Sequence, residues 1–134
     1  MKLSLVSWDS TSINNGSPFT SYIQSGQLAN LSSNPVLVNR ALDYPFLSGV
    51  VKQANVLVIG VYISAGQNIN TNRELLKQYF FGDDNRHNLI AQDEANGNAQ
   101  YYRTGIPVRL VQESNDRQNS FYITIQTEYP YWKQ

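Results

Sequence analysis

From Val56 to Ile63 the chain reads Val-Leu-Val-Ile-Gly-Val-Tyr-Ile, apolar at both parities of an extended strand. Val56, Val58 and Tyr62 fall on one face and Leu57, Ile59, Val61 and Ile63 on the other, which predicts a strand covered on both sides. After a polar loop, Ser64 to Asn70, the run Thr71-Asn72-Arg73-Glu74 has the spacing of a capping box. The Thr71 hydroxyl would accept from the Glu74 N–H, and the Glu74 side chain would return to the N–H of Thr71. Leu75, Leu76, Tyr79 and Phe80 then form one apolar helical face, and Gly82 stands where a left-handed C-terminal cap is expected. The helix needs a sheet to lie on and the strand needs a cover, so the two are predicted to pack together.

Upstream, Leu3 to Trp8 reads as a first strand. Asp9 to Gln27 is polar, with a dense turn signal at Asn14-Asn15-Gly16-Ser17-Pro18 and a short strand from Phe19 to Ile23. Ser25 to Asn34 is loop by composition, Pro35 to Arg40 returns to strand character, and Asp43-Tyr44-Pro45-Phe46-Leu47-Ser48-Gly49 leads into an apolar run from Val50. Residues 9–49 thus carry weak core pattern, and a connection this long in a compact domain is expected to be either a functional arm or a segment that packs on something else.

Downstream the pattern is plainer. His87 to Asp93 is a strand with Leu89 and Ala91 on one face and Ile90 on the other, and Asn96-Gly97 signals a tight hairpin into Gln100 to Thr104. Ile106, Val108 and Leu110 alternate with Arg109 in a further strand, which Pro107 marks as starting there or lying near an edge. After the polar turn Glu113 to Asn119, Phe121, Ile123 and Ile125 alternate with Tyr122, Thr124 and Gln126. Strands, one helix and then a meander predict a mainly β fold, an antiparallel β-sandwich with one α-helix and a long arm.

The 134 residues make one domain's worth of chain, long enough to bury a core. There is no cysteine, so neither disulfides nor thiolate metal ligands are available. Ten basic residues balance ten acidic ones with no basic run, which argues against nucleic-acid binding by phosphate neutralisation. The apolar start of the chain is broken at Ser7, Asp9 and Ser10 and does not read as a signal peptide, and no stretch is long enough for a membrane span. The sequons at Asn15 and Asn30 are what a chain rich in Asn and Ser produces by chance.

Candidate chemistry is sparse. His87 is the only histidine, with Asp83 and Asp84 close by, but Gly82-Asp83-Asp84-Asn85 reads first as a turn whose side chains bond their own backbone. Asp83, Asp84, Asp93 and Glu94 match no calcium-loop spacing, and no phosphate loop, nucleophile elbow or zinc-protease pattern is present. No enzyme activity and no cofactor are expected. Tyr101, Tyr102 and Tyr122 suit cross-strand packing, whereas Tyr129-Pro130-Tyr131-Trp132 lies beyond the last strand and must dock somewhere or be exposed.

Ser7-Trp8-Asp9, Asn39-Arg40 through Asp43-Tyr44-Pro45-Phe46 and Gly49, the strand Val56 to Ile63, the helix Arg73 to Phe80, Leu89-Ile90-Ala91-Gln92-Asp93 and the closing Glu128-Tyr129-Pro130-Tyr131-Trp132 appear in an order that spans nearly the whole chain. Together they resemble the N-terminal domain of distal tail proteins of long-tailed siphophages. The resemblance implies a tail-tube-like β-sandwich with one helix that assembles as a hexameric ring and joins the tail tube protein to the tip or adhesion proteins. Its home would be the virion, with assembly in the host cytoplasm. It also implies that residues 9–49 are a belt reaching over the neighbouring subunit, with Arg40, Tyr44 and Phe46 as interface anchors of the residue types that dominate binding energy.

Many members of that family continue into a second domain after the Pro-Tyr-Trp phrase, whereas only Lys133 and Gln134 follow here. The chain is then either a minimal member or a fragment, and Tyr131 and Trp132 are candidate junction or partner contacts. The competing expectation is a monomeric carbohydrate-binding β-sandwich that uses exposed Tyr and Trp rings.

Overall fold

The computed structural model describes residues 3–14, 17–24, 33–38, 46–52, 56–64, 68–114, 117–129 and 131–134. Where apolar and polar residues alternate, the chain extends and turns its apolar parity inward. In chain order the strands before the helix are β1 (Leu3–Trp8), β2 (Thr11–Ser12), β3 (Phe19–Ile23), β4 (Ser33–Val38), β5 (Phe46–Lys52) and β6 (Val56–Ile63). The helix α1 (Ile69–Phe81) and the meander β7 (His87–Asp93), β8 (Ala99–Ser114) and β9 (Arg117–Thr127) follow. Seven strands form one antiparallel sheet in the order β2-β1-β7-β8-β9-β6-β3, and β4 and β5 form a separate two-stranded sheet.

The large sheet curls until β1 touches β3. Its inner face buries Leu5 and Trp8 of β1, Phe19 of β3, Leu89 and Ala91 of β7, the odd-numbered residues from Leu57 to Ile63 of β6, and Phe121, Ile123 and Ile125 of β9. Helix α1 lies against β6 and β9 with Leu76 and Phe80 buried and Leu75 and Tyr79 packed beside them, as the apolar period predicts. The described residues thus show a mainly β fold in which a curled antiparallel sheet packs around one helix, with the β4–β5 pair as a second, small sheet.

Several expectations need correction. Strand β6 is only partly covered on its outer face: Val56 is 46% and Tyr62 39% exposed while Val58 is half-buried, because the helix that covers β6 sits on the opposite face. The outer face is relieved at Gly60, where the Tyr22 ring of the paired residue in β3 occupies the space a Cβ would need. The helix begins at Ile69, not near Thr71: Asn68 is the N-cap, its side-chain oxygen accepting from Thr71 N–H at 3.0 Å, and Glu74 instead pairs with Lys77 at 3.0 Å. Gly82 is right-handed (φ −71°), so the left-handed cap does not form. Replacing Asn68 by Ala is therefore expected to cost about 1 kcal/mol in a denaturant titration, and Thr71→Ala much less.

Residues 9–14 and 17–23 belong to the body of the fold and not to an arm, since Ile13 and Phe19 are buried and β2 and β3 belong to the large sheet. Two predicted strands, Gln100 to Thr104 and Ile106 onward, are one continuous β8. It changes partner near Gly105, which faces both His87 of β7 and Thr127 of β9. Pro107 lies beyond the last β7 pair and beside a bulge, so its missing N–H interrupts no second ladder. The β7–β8 loop is longer than a two-residue turn, and its left-handed positions are Gly97 and Asn98.

Candidate functional site

Two clusters combine side chains from distant parts of the chain. In the first, Asp9 leaves β1 in the left-handed region (φ 52°), which Asp tolerates better than most residues. Its backbone N–H donates to Asn88 O at 2.7 Å and its Oδ1 accepts from Asn88 N–H at 2.7 Å, fixing it beside the start of β7. His87 is then held on both ring nitrogens: Nδ1 meets Asp9 Oδ2, and Nε2 lies 2.7 Å from Asp83 Oδ1. Asp83 also accepts from Asn85 N–H at 2.9 Å, as the turn reading predicts. The imidazole sits 5.3 Å from the Trp8 ring, which contacts Phe80 at 5.0 Å, so the clasp joins β1, the helix exit and β7 over the core.

Both imidazole nitrogens are thus engaged by carboxylates, which ties the three segments together. The hydrogen bond to Asp83 raises the His87 pKa above 6.5 against the opposing effect of burial, and the hydrogen bond and charge of Asp9 add smaller contributions in the same upward direction. The bond to His87 and the Asn85 N–H hold Asp83 below 3.8. A raised histidine pKa contributes stability fully present below pH 6.5 and lost as pH rises through the folded value; the lowered Asp83 pKa contributes stability present above pH 3.8 and lost on acidification. The wild type is thus expected to lose stability on going from mildly acidic to mildly alkaline pH, and His87→Gln to show a flatter profile by thermal melts. Parallel profiles would show that the clasp does not form.

The second cluster surrounds the closing aromatic phrase. Lys133 pairs with Tyr102 of β8 through two backbone hydrogen bonds of 2.7 and 2.9 Å, folding the tail onto the part of β8 that β9 does not reach. Tyr131 is 53% exposed and meets the Tyr129 ring at 5.5 Å in a tilted contact, with the Lys133 ammonium 3.5 Å from the Tyr129 ring centre. Trp132 instead packs against the core and lies under the Arg103 guanidinium. The predicted pair is therefore split, one ring outward and one inward.

Arg40 and Tyr44 lie outside the described residues, and Phe46 opens β5 in register with Val38. Tyr101 and Tyr102 pair with Ala91 and Ile90, and Tyr122 with Gly60 and Val111, as cross-strand packing predicts. Sequence reasoning missed Asp9 and Arg103. No local spacing joins Asp9 to His87, but the inward parity of β8 at Arg103 was a visible signal. Among the described residues no group of three His, Cys, Asp or Glu side chains is placed to hold a metal, and no helix is long and apolar enough to cross a membrane. A cleft of about 210 Å³ beside the Arg86–Glu128 ion pair is smaller than usual small-molecule sites. No protein-family model, no curated protein and no solved structure matches this chain.

Proposed function

We propose that this protein is a non-enzymatic, ring-forming structural subunit at the distal end of a long non-contractile phage tail, joining the tube to the tip or adhesion device. The observation that carries the reading is the β4–β5 ribbon, which is hydrogen-bonded to no strand of the large sheet. Two strands alone are marginal in water and need an apolar surface to lie on. The convex face of the large sheet offers such a surface, with Tyr22, Val56, Tyr62, Ile106 and Val111 exposed. Identical subunits that each present a ribbon and a receiving face make a heterologous contact, which closes into a ring when the rotation closes.

Light scattering of the full chain, with the tail tube protein added, tests this. A mass of about six subunits, reverting to a folded monomer when residues 33–52 are replaced by a short Gly/Ser linker, is the expected result. A monomer that neither closes nor binds the tube, or loss of folding with the ribbon, would overturn it. The exposed Tyr129–Tyr131 ring pair favours a second reading, a monomeric carbohydrate-binding module. That reading expects oligosaccharides to perturb these rings, and Tyr131→Ala to abolish the effect.

A further inference from the structure

Arg103 is 3% exposed on the inner face of β8, opposite Leu89. Only its Nε–H is used: it donates to Thr127 Oγ1 and to Tyr129 O, both at a long 3.3 Å and both uncharged. The ion pairs of the described residues join Lys77 to Glu74, Arg86 to Glu128, and His87 to Asp9 and Asp83, and none reaches Arg103. Its guanidinium carbon lies 5.9 Å from the centre of the Trp132 ring, and the Trp132 Nε1–H is fully enclosed with no acceptor. The Lys133 ammonium, next along the tail, is instead 3.5 Å from the centre of the Tyr129 ring.

A buried charge with no counter-charge is costly, and an apolar residue at this inward position would avoid the cost. An enclosed N–H without an acceptor adds a further penalty. Among the described residues these donors meet no carboxylate side chain. The fully enclosed, unpartnered side-chain atoms are the two indole nitrogens, so the terminal N–H groups of Arg103, also without acceptors, reach the solvent boundary. The segment covering them is tied to β8 by backbone hydrogen bonds between Glu128 and Thr104 and between Lys133 and Tyr102.

We propose that Arg103, with the Trp132 indole N–H beside it, forms a binding site for a carboxylate. A planar monoanion matches the guanidinium fork and its single charge, whereas a tetrahedral dianion would need a second cation in direct contact. The carboxylate is either a free anion or an Asp or Glu side chain of a partner protein. The site does not depend on ring formation.

The test follows the indole N–H resonances of the wild-type protein, with Trp132→Phe assigning the two signals. Sodium acetate, sodium chloride at equal ionic strength and the peptide acetyl-Gly-Glu-Gly-amide are the probes. The expected result is a saturable shift of the Trp132 signal, and not of Trp8, with acetate or peptide and not with chloride. Tighter binding of the peptide identifies a protein side chain as the source, and equal or tighter binding of acetate identifies a free anion. Arg103→Lys, which keeps the charge and loses the fork, should weaken binding by about tenfold or more. No saturable shift, a shift equal to that of chloride, or full binding by the Lys variant would overturn the proposal. Because the wild-type titration is decisive alone, poor folding of a variant does not blunt it.

Discussion

Phe80→Ala is expected to destabilise the protein by about 3 to 5 kcal/mol, a large share of what a domain of this size possesses. Phe80 is 1% exposed, and its ring fills the space between α1 and the Trp8 indole, 5.0 Å away. Truncation removes the burial and leaves a cavity, because Trp8 is held from its other side by β7 and cannot follow the receding helix. Leu76→Ala, one turn earlier on the same face, is expected to cost about 2 to 5 kcal/mol. Urea titrations should show both losses as a lower midpoint with an unchanged slope. Small, equal losses for Phe80→Ala, Leu76→Ala and Asn68→Ala would mean that the helix is not packed into the curl.

That helix also shows what the sequence made legible. Its buried face was readable because a 3.6-residue period admits one arrangement of Leu75, Leu76, Tyr79 and Phe80. Its start was not, because Asn68 and Thr71 are both competent caps three residues apart. Asn is at least as good a cap as Thr, and starting at Ile69 adds backbone hydrogen bonds at little cost. The exit stays right-handed at Gly82 and leads into the turn in which Asp83 meets His87, a contact that also involves the distant Asp9. For β8, the Gly105 and Pro107 signals were real, but they mark a change of partner and a bulge within one strand. Strand periodicity gave the buried faces of β6, β7 and β9 but not that of β8, where Ile106 and Val108 are exposed and Arg103 is buried; it carries no information on how far a sheet curls. The second cover predicted for β6 failed for that reason, since apolar residues on both parities show what a strand tolerates, not what covers it.

Asn14→Asp is expected to destabilise by roughly 2 to 4 kcal/mol at neutral pH, more than its near-identical shape would allow on packing grounds. The Asn14 carboxamide lies at the seam where the curled sheet meets itself. On one side Nδ2 donates to Leu5 O at 2.7 Å, continuing the pairing that Ile13 N–H makes with Val6 O at 3.2 Å. On the other side Oδ1 accepts from Ser21 N–H at 2.9 Å and Nδ2 donates to Ser21 O at 3.2 Å and to Ser21 Oγ at 2.9 Å. The side chain thus acts as a one-residue strand between β1 and β3, occupying edge groups that would otherwise be open to a further strand. A carboxylate keeps the bond from Ser21 N–H but loses every donor, and it sets a negative oxygen against the carbonyls of Leu5 and Ser21. Asn14→Ala loses both halves and leaves the N–H of Ser21, a residue 7% exposed, without its partner. Hydrogen exchange separates the two variants: the Ser21 amide should stay protected in Asn14→Asp relative to Asn14→Ala, while both are less stable than the wild type. A stable Asn14→Asp protein, or equal exchange at Ser21 in all three, would show that the seam is held by Ile13 and its neighbours and not by the carboxamide.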